Sequence, residues 1–122
     1  MAGQMAQAAL ARDGIPAADV LAQLERTPQS AILYDPSGRR QINVDLKDVQ
    51  EQTYPLERFI RALESCALAV LCNINFSRPF LVLAKQAGVP IATDVHTIAD
   101  LDDPYERDFL AAADILFMSD EL

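Results

Sequence analysis

Tryptophan is absent from this chain, histidine occurs once, at His96, and glycine only four times in 122 residues. So few glycines exclude a glycine-rich phosphate cradle, which needs several positions without a Cβ close to the ligand. The sequence carries no G-x-G-x-x-G, G-x-x-x-x-G-K, H-E-x-x-H or G-x-S-x-G pattern. Cations are also scarce: ten Lys and Arg against eighteen Asp and Glu leave a net charge of −8. That balance excludes non-specific binding to nucleic acid or to an anionic membrane, and leaves a small molecule or a protein as partner. No apolar run approaches the roughly 18–20 residues that span a bilayer, and the N-terminus has no basic-then-apolar leader. A cytoplasmic protein is the expectation. Two cysteines, Cys66 and Cys72, cannot build a disulfide framework or a metal set, and among Ala, Leu and Val they read as buried thiols.

What is present is apolar residue, 51% of the chain, enough for the core of one domain. Gln4–Asp13, rich in Ala, Gln and Leu, reads as a helix stopped by Gly14. Val20–Glu25, Ser30–Asp35 and Arg39–Asp45 read as short strands, the last two joined by "DPSG", where Pro36 and Gly38 suit a tight reversal. "INVDL", residues 42–46, alternates as a strand with one solvated face does. Residues 17–46 therefore read as an antiparallel β-flap.

From Pro55 the period changes. Leu56, Phe59, Ile60 and Leu63 recur at helical spacing, with Pro55 tolerated in the first turn. "ALAVLCN" (67–73), "VPIATD" (89–94) and "ILFMS" (115–119) are near-continuous apolar strands, separated by the helical segments "SRPFLVLAKQAG" (77–88) and the one opening at Asp103. Asp103 and Glu106 have capping-box spacing around Pro104, and Tyr105, Phe109, Leu110 and Ala113 continue that helix's buried side. Residues 54–122 thus read as an αβαβαβ body: an α/β fold whose parallel sheet is covered by helices on both faces. The whole chain, 1–122, is taken as a single domain.

Ligands of open parallel sheets bind outside the carboxyl ends of the strands. Each strand of the body ends in polar groups, so Asn73, Asn75, Asp94, His96, Ser119 and Glu121 form one candidate rim. Each alone is also an ordinary loop or cap residue. Asp94, His96, Asp100, Asp102 and Asp103 have the composition of a metal cluster, but "DLDD" before a helix serves as cap and dipole partner, and no metal site is assigned. A D-x-H pair also admits a metal-assisted hydrolase, though a lone histidine is not a mechanism.

The succession "LARDGI" (10–15), "TPQSAILYDPSGRRQI" (27–42), "AKQAGVPIATDVH" (84–96) and "AAADILFMSDE" (111–121) resembles the middle of a ribokinase-like carbohydrate kinase of the PfkB family. The resemblance implies transfer of phosphate from ATP, with Mg2+, to a sugar hydroxyl between an α/β body and a β-flap lid that also pairs between subunits. Asp94 matches the Asp of the family's D-x-N-x-R, with His96 and Ile98 at its Asn and Arg positions. Ser119 stands at the Asn of N-x-x-E, and Leu122 at its Glu, beside Glu121. These departures put ordinary phosphate and magnesium handling in doubt. The family's Gly-Gly strand and its Gly-Ala-Gly-Asp segment, which supplies an anion hole and the general base, have no counterpart here, so no catalytic residue is assigned. The ribokinase-like domain is incomplete in these residues, and by themselves they are expected to be inactive and to bind no cofactor tightly. The alternative is a stand-alone, non-catalytic module binding a small ligand or a protein. An exposed sheet edge or the flap strands are expected to make a homo-oligomer.

Overall fold

The computed structural model describes residues 2–97 and 103–119; of His96, Thr97 and Ser119 only the backbone is described. The chain divides into two compact units, residues 1–50 and 51–122.

The first unit opens with helix α1 (Ala2–Arg12), which buries none of its residues. Gly14 ends it at φ 74°, and the Gly14 and Ile15 amides donate back to the Ala11 and Leu10 carbonyls, satisfying groups the helix end would leave unpaired. Val20–Glu25 forms no strand, because the segment finds no ladder partner. Strands β1 (Gln29–Tyr34) and β2 (Arg40–Asp45) pair antiparallel, Ile32 opposite Ile42. Their turn is fixed by Asp35, whose carboxylate accepts from the Ser37 amide and hydroxyl and from the Arg39 amide. The Gly38 amide donates to the Asp35 carbonyl, and Gly38 takes φ 87°, a type I turn followed by a left-handed residue. The register puts Ser30, Ile32 and Tyr34 on one face with Val44, Ile42 and Arg40, and gives the other face Ala31 and Leu33 with Asn43 and Gln41. One face is thus largely apolar, as the alternation predicts, but every residue of both strands is exposed.

The second unit is the αβαβαβ body. It runs α2 (Leu56–Leu63), β3 (Ala69–Val70), α3 (Arg78–Gln86), β4 (Ile91–Thr97), α4 (Pro104–Ala112) and β5 (Ile115–Ser119). The sheet is parallel in the order β3-β4-β5. Both crossovers advance in the same direction across it, and right-handed connections then place α3 and α4 on the same face. The core lies on that face: Ala69 of β3 and Leu71 just past it, Ile91 and Val95 of β4, Phe80, Leu81 and Ala84 of α3, and Phe109 of α4. Leu63 of α2 joins it, and Phe59 stacks on Phe80 at 4.2 Å between ring centroids. Thr93, buried in β4, donates its hydroxyl to the Leu71 carbonyl at 2.7 Å, so the polar atom costs nothing.

Two further expectations are corrected. Covering on both faces is not found among the described residues: Val70, Ile115 and Phe117 remain exposed. Cys66 and Cys72 are exposed as well, because Cys66 falls in the turn after α2 and Cys72 just past β3.

Candidate functional site

The carboxyl ends of β3, β4 and β5 lie along one edge of the sheet, because the three strands are parallel and Thr97 of β4 pairs with Ser119 of β5. Asn73 and Asn75 follow β3, and Asp94 lies on β4 in register with Phe117. Glu121, Ile98, Asp100, Asp102 and Leu122 lie outside the described residues, as do the side chains of His96 and Ser119.

Asn73 is the best defined of the rim residues. Its amide nitrogen donates to both carboxylate oxygens of Glu106, each at 3.1 Å, and its carbonyl accepts the Tyr105 hydroxyl at 2.7 Å. The loop after β3 is thereby fastened to the first turn of α4. Glu106 does not reach back to close a capping box; its side chain goes to Asn73, while Asp103 alone caps α4 by accepting from the Tyr105 amide at 2.8 Å. Asn75 is exposed and opens the short turn (Asn75–Ser77) leading into α3. Asp94 is exposed on the sheet face opposite the core.

Arg78 is a residue that sequence reasoning passed over. Its guanidinium lies over the rings of Tyr105 and Phe109 at 4.9 and 4.8 Å, and donates to Asp108 at 2.9 Å and to the Tyr105 carbonyl at 2.8 Å. Its place beside Pro79 at a helix start signals a helix terminus, not a contact with a helix some 27 residues on. Arg78, Tyr105, Glu106 and Asn73 form one polar network that sets α3, α4 and the rim loop in mutual register.

Carboxylates held below their usual range occur elsewhere. Asp114 is lowered first by the Lys85 ammonium, which donates to both its oxygens at 2.8 Å, and then by the Ile91 amide. Asp35 is lowered chiefly by the Ser37 hydroxyl, and Asp45 by Lys47. Each of the three holds a turn or a strand entry. Among the described residues no three His, Cys, Asp or Glu side chains gather to hold a metal ion.

No family model and no curated protein matches the sequence. A solved structure does: a microbiome-derived acarbose kinase, Mak1, labelled with selenomethionine, is 25% identical and superposes with a TM-score of 0.76 over 97% of this chain. The chain shares the fold of part of that kinase, as its resemblance to a ribokinase-like kinase implies. It spans 41% of that kinase's length. The kinase fold accounts for both units of this chain, the antiparallel hairpin and the parallel body, since the superposition runs through nearly all of it. No described helix is long and apolar enough to cross a membrane.

Proposed function

We propose that this chain is a portion of an ATP-dependent carbohydrate kinase of the PfkB type, which passes a phosphoryl group from ATP to a sugar hydroxyl, and that these 122 residues are inactive by themselves. The observation that carries this reading is the superposition on a sugar-modifying kinase through 97% of the chain. In this reading Asn73, Asn75, Asp94, His96, Ser119 and Glu121 form the substrate- or phosphate-side rim, and the hairpin of β1 and β2 belongs to the lid.

Phosphoryl transfer depends on positioning and on neutralising charge on the transferring group. Magnesium ATP supplies the phosphoryl group and part of that neutralisation in the whole kinase. The described residues do not fit it: Gly14, Gly38 and Gly88, the glycines at positive φ, end helices or turn the hairpin, and none opens a helix toward an anion. No step is therefore assigned to residues of this chain.

A second reading, a non-catalytic binding module, is favoured by the hairpin. Ile32, Tyr34, Ile42 and Val44 stay exposed on one face, which suits a protein partner or a second copy of the chain. Incubation with ATP, Mg2+ and a panel of sugars including acarbose separates the two readings. The 122-residue chain releases no ADP above the blank, while the natural polypeptide releases ADP with at least one sugar. Silence of a natural polypeptide of kinase length across the panel would favour the binding module.

A further inference from the structure

Two side chains in the first turn of α4 reach away from their own helix to a single residue of the rim. The Tyr105 hydroxyl donates to the Asn73 carbonyl at 2.7 Å, and both carboxylate oxygens of Glu106 accept from the Asn73 amide nitrogen at 3.1 Å. Helix formation does not ask for this. Asp103 already caps α4, with Pro104 behind it, and a glutamate three residues past a cap commonly folds back onto it. Glu106 is turned instead to a loop 33 residues earlier in the chain.

That loop lies between two fixed points. The sheet holds the chain up to Leu71, whose amide donates to the Ala92 carbonyl at 2.9 Å and whose carbonyl accepts the Thr93 hydroxyl. Buried Ser77 holds it again at the start of α3. Residues 72–76 run between them at the carboxyl edge, and Asn73 is where α4 takes hold. Within the loop the Ile74 amide donates to the Cys72 carbonyl at 2.8 Å and the Ser77 amide to the Ile74 carbonyl at 2.9 Å, so a shift at Asn73 is passed on to the exposed Asn75.

The chemistry of the loop selects which part of the substrate it serves. "CNINFS", residues 72–77, carries no charged side chain. Arg78, the next cation, is turned to α4, donating to Asp108 and to the Tyr105 carbonyl. Phosphate recognition draws on cations or on converging backbone amides, whereas side-chain amides both donate and accept, as sugar hydroxyls do. The loop therefore suits the sugar and not the nucleotide.

We infer that Glu106 and Tyr105 are positioning residues for the sugar: they act through Asn73 and fix residues 72–76 in the geometry that sugar hydroxyls meet at the rim. The inference rests on the kinase-portion reading and assigns to it a determinant of sugar affinity on a helix outside the rim.

The natural polypeptide is titrated calorimetrically, without ATP, with each sugar of the panel, acarbose included, and its ADP release is followed as sugar and ATP are varied in turn. Glu106→Ala weakens sugar binding and raises the sugar KM by about tenfold, while kcat and the ATP KM stay within about threefold of the parent, the pattern of lost substrate binding. Glu106→Gln, whose carboxamide oxygen still accepts from Asn73, restores the sugar KM to within about threefold of the parent. Tyr105→Phe keeps the ring beneath Arg78 and loses only the hydroxyl; it raises the sugar KM by about threefold and carries the test if Glu106→Ala does not fold. Unchanged sugar affinity in Glu106→Ala and Tyr105→Phe overturns the inference, as does a loss shared equally by the sugar and ATP KM, or a Gln variant as weak as the Ala one. A parent that binds a sugar but releases no ADP, with binding weakened by Glu106→Ala and not by Glu106→Gln, sustains the positioning role while the kinase reading fails. A parent that binds no sugar of the panel overturns the inference.

Discussion

Asn73 and Glu106 were both legible as polar residues near strand and helix ends, yet their pairing was not, because it joins positions 33 residues apart. Spacing along a chain identifies local partners such as the cap of Asp103 on the Tyr105 amide; it carries no information on which distant donor a carboxylate meets. Replacing Asn73 with Ala leaves Glu106 half-buried without that donor, and a loss of about 1–3 kcal/mol is expected in urea unfolding. Phe109, fully buried beneath Arg78, is a larger loss: Phe109→Ala is expected to cost about 3–5 kcal/mol. Asp114 gives a pH signature. Its folded value lies below its unfolded one, so its stabilisation is present above about pH 4 and is lost as pH falls through the folded value. Asp114→Asn therefore lowers stability at pH 7, and the gap from the parent narrows below about pH 4 in parallel urea titrations.

At the scale of elements, the glycine stops were the most legible signals. "DGI" after α1 and "AGV" after α3 produce the same closure, with Gly88 at φ 70° and the Gly88 and Val89 amides donating to the Lys85 and Ala84 carbonyls. A Cβ on Gly88 meets no atom within 4 Å, so Gly88→Ala is charged only for the left-handed backbone. That cost is about 1–2 kcal/mol, read as a lower thermal midpoint. The hairpin was legible from "DPSG", and its register follows from the turn. Val20–Glu25 shows the opposite case: apolar residues alone do not make a strand, since a strand exists only with a partner to accept its hydrogen bonds. β3 is likewise shorter than its apolar run, two residues against the seven of "ALAVLCN". Continuous apolar character reports burial more than it reports ladder length.

At the scale of the whole molecule, the order of helices and parallel strands in the body was legible because period 3.6 and continuous apolar runs alternate cleanly from Pro55 onward. Coverage of the sheet was not, since hydropathy tells that a face is apolar and not whether these residues supply its cover. The exposed Cys72, Val70 and Phe117 are the consequence. The chain superposes on a sugar kinase through nearly all of its own length and well under half of the kinase's. The intact mass of the natural polypeptide tests the kinase-portion assignment most directly. A mass well above the 13.4 kDa of these residues is predicted, with sequence able to supply an anion cradle and a general base. A natural polypeptide of 13.4 kDa would contradict it and leave a self-contained binding module.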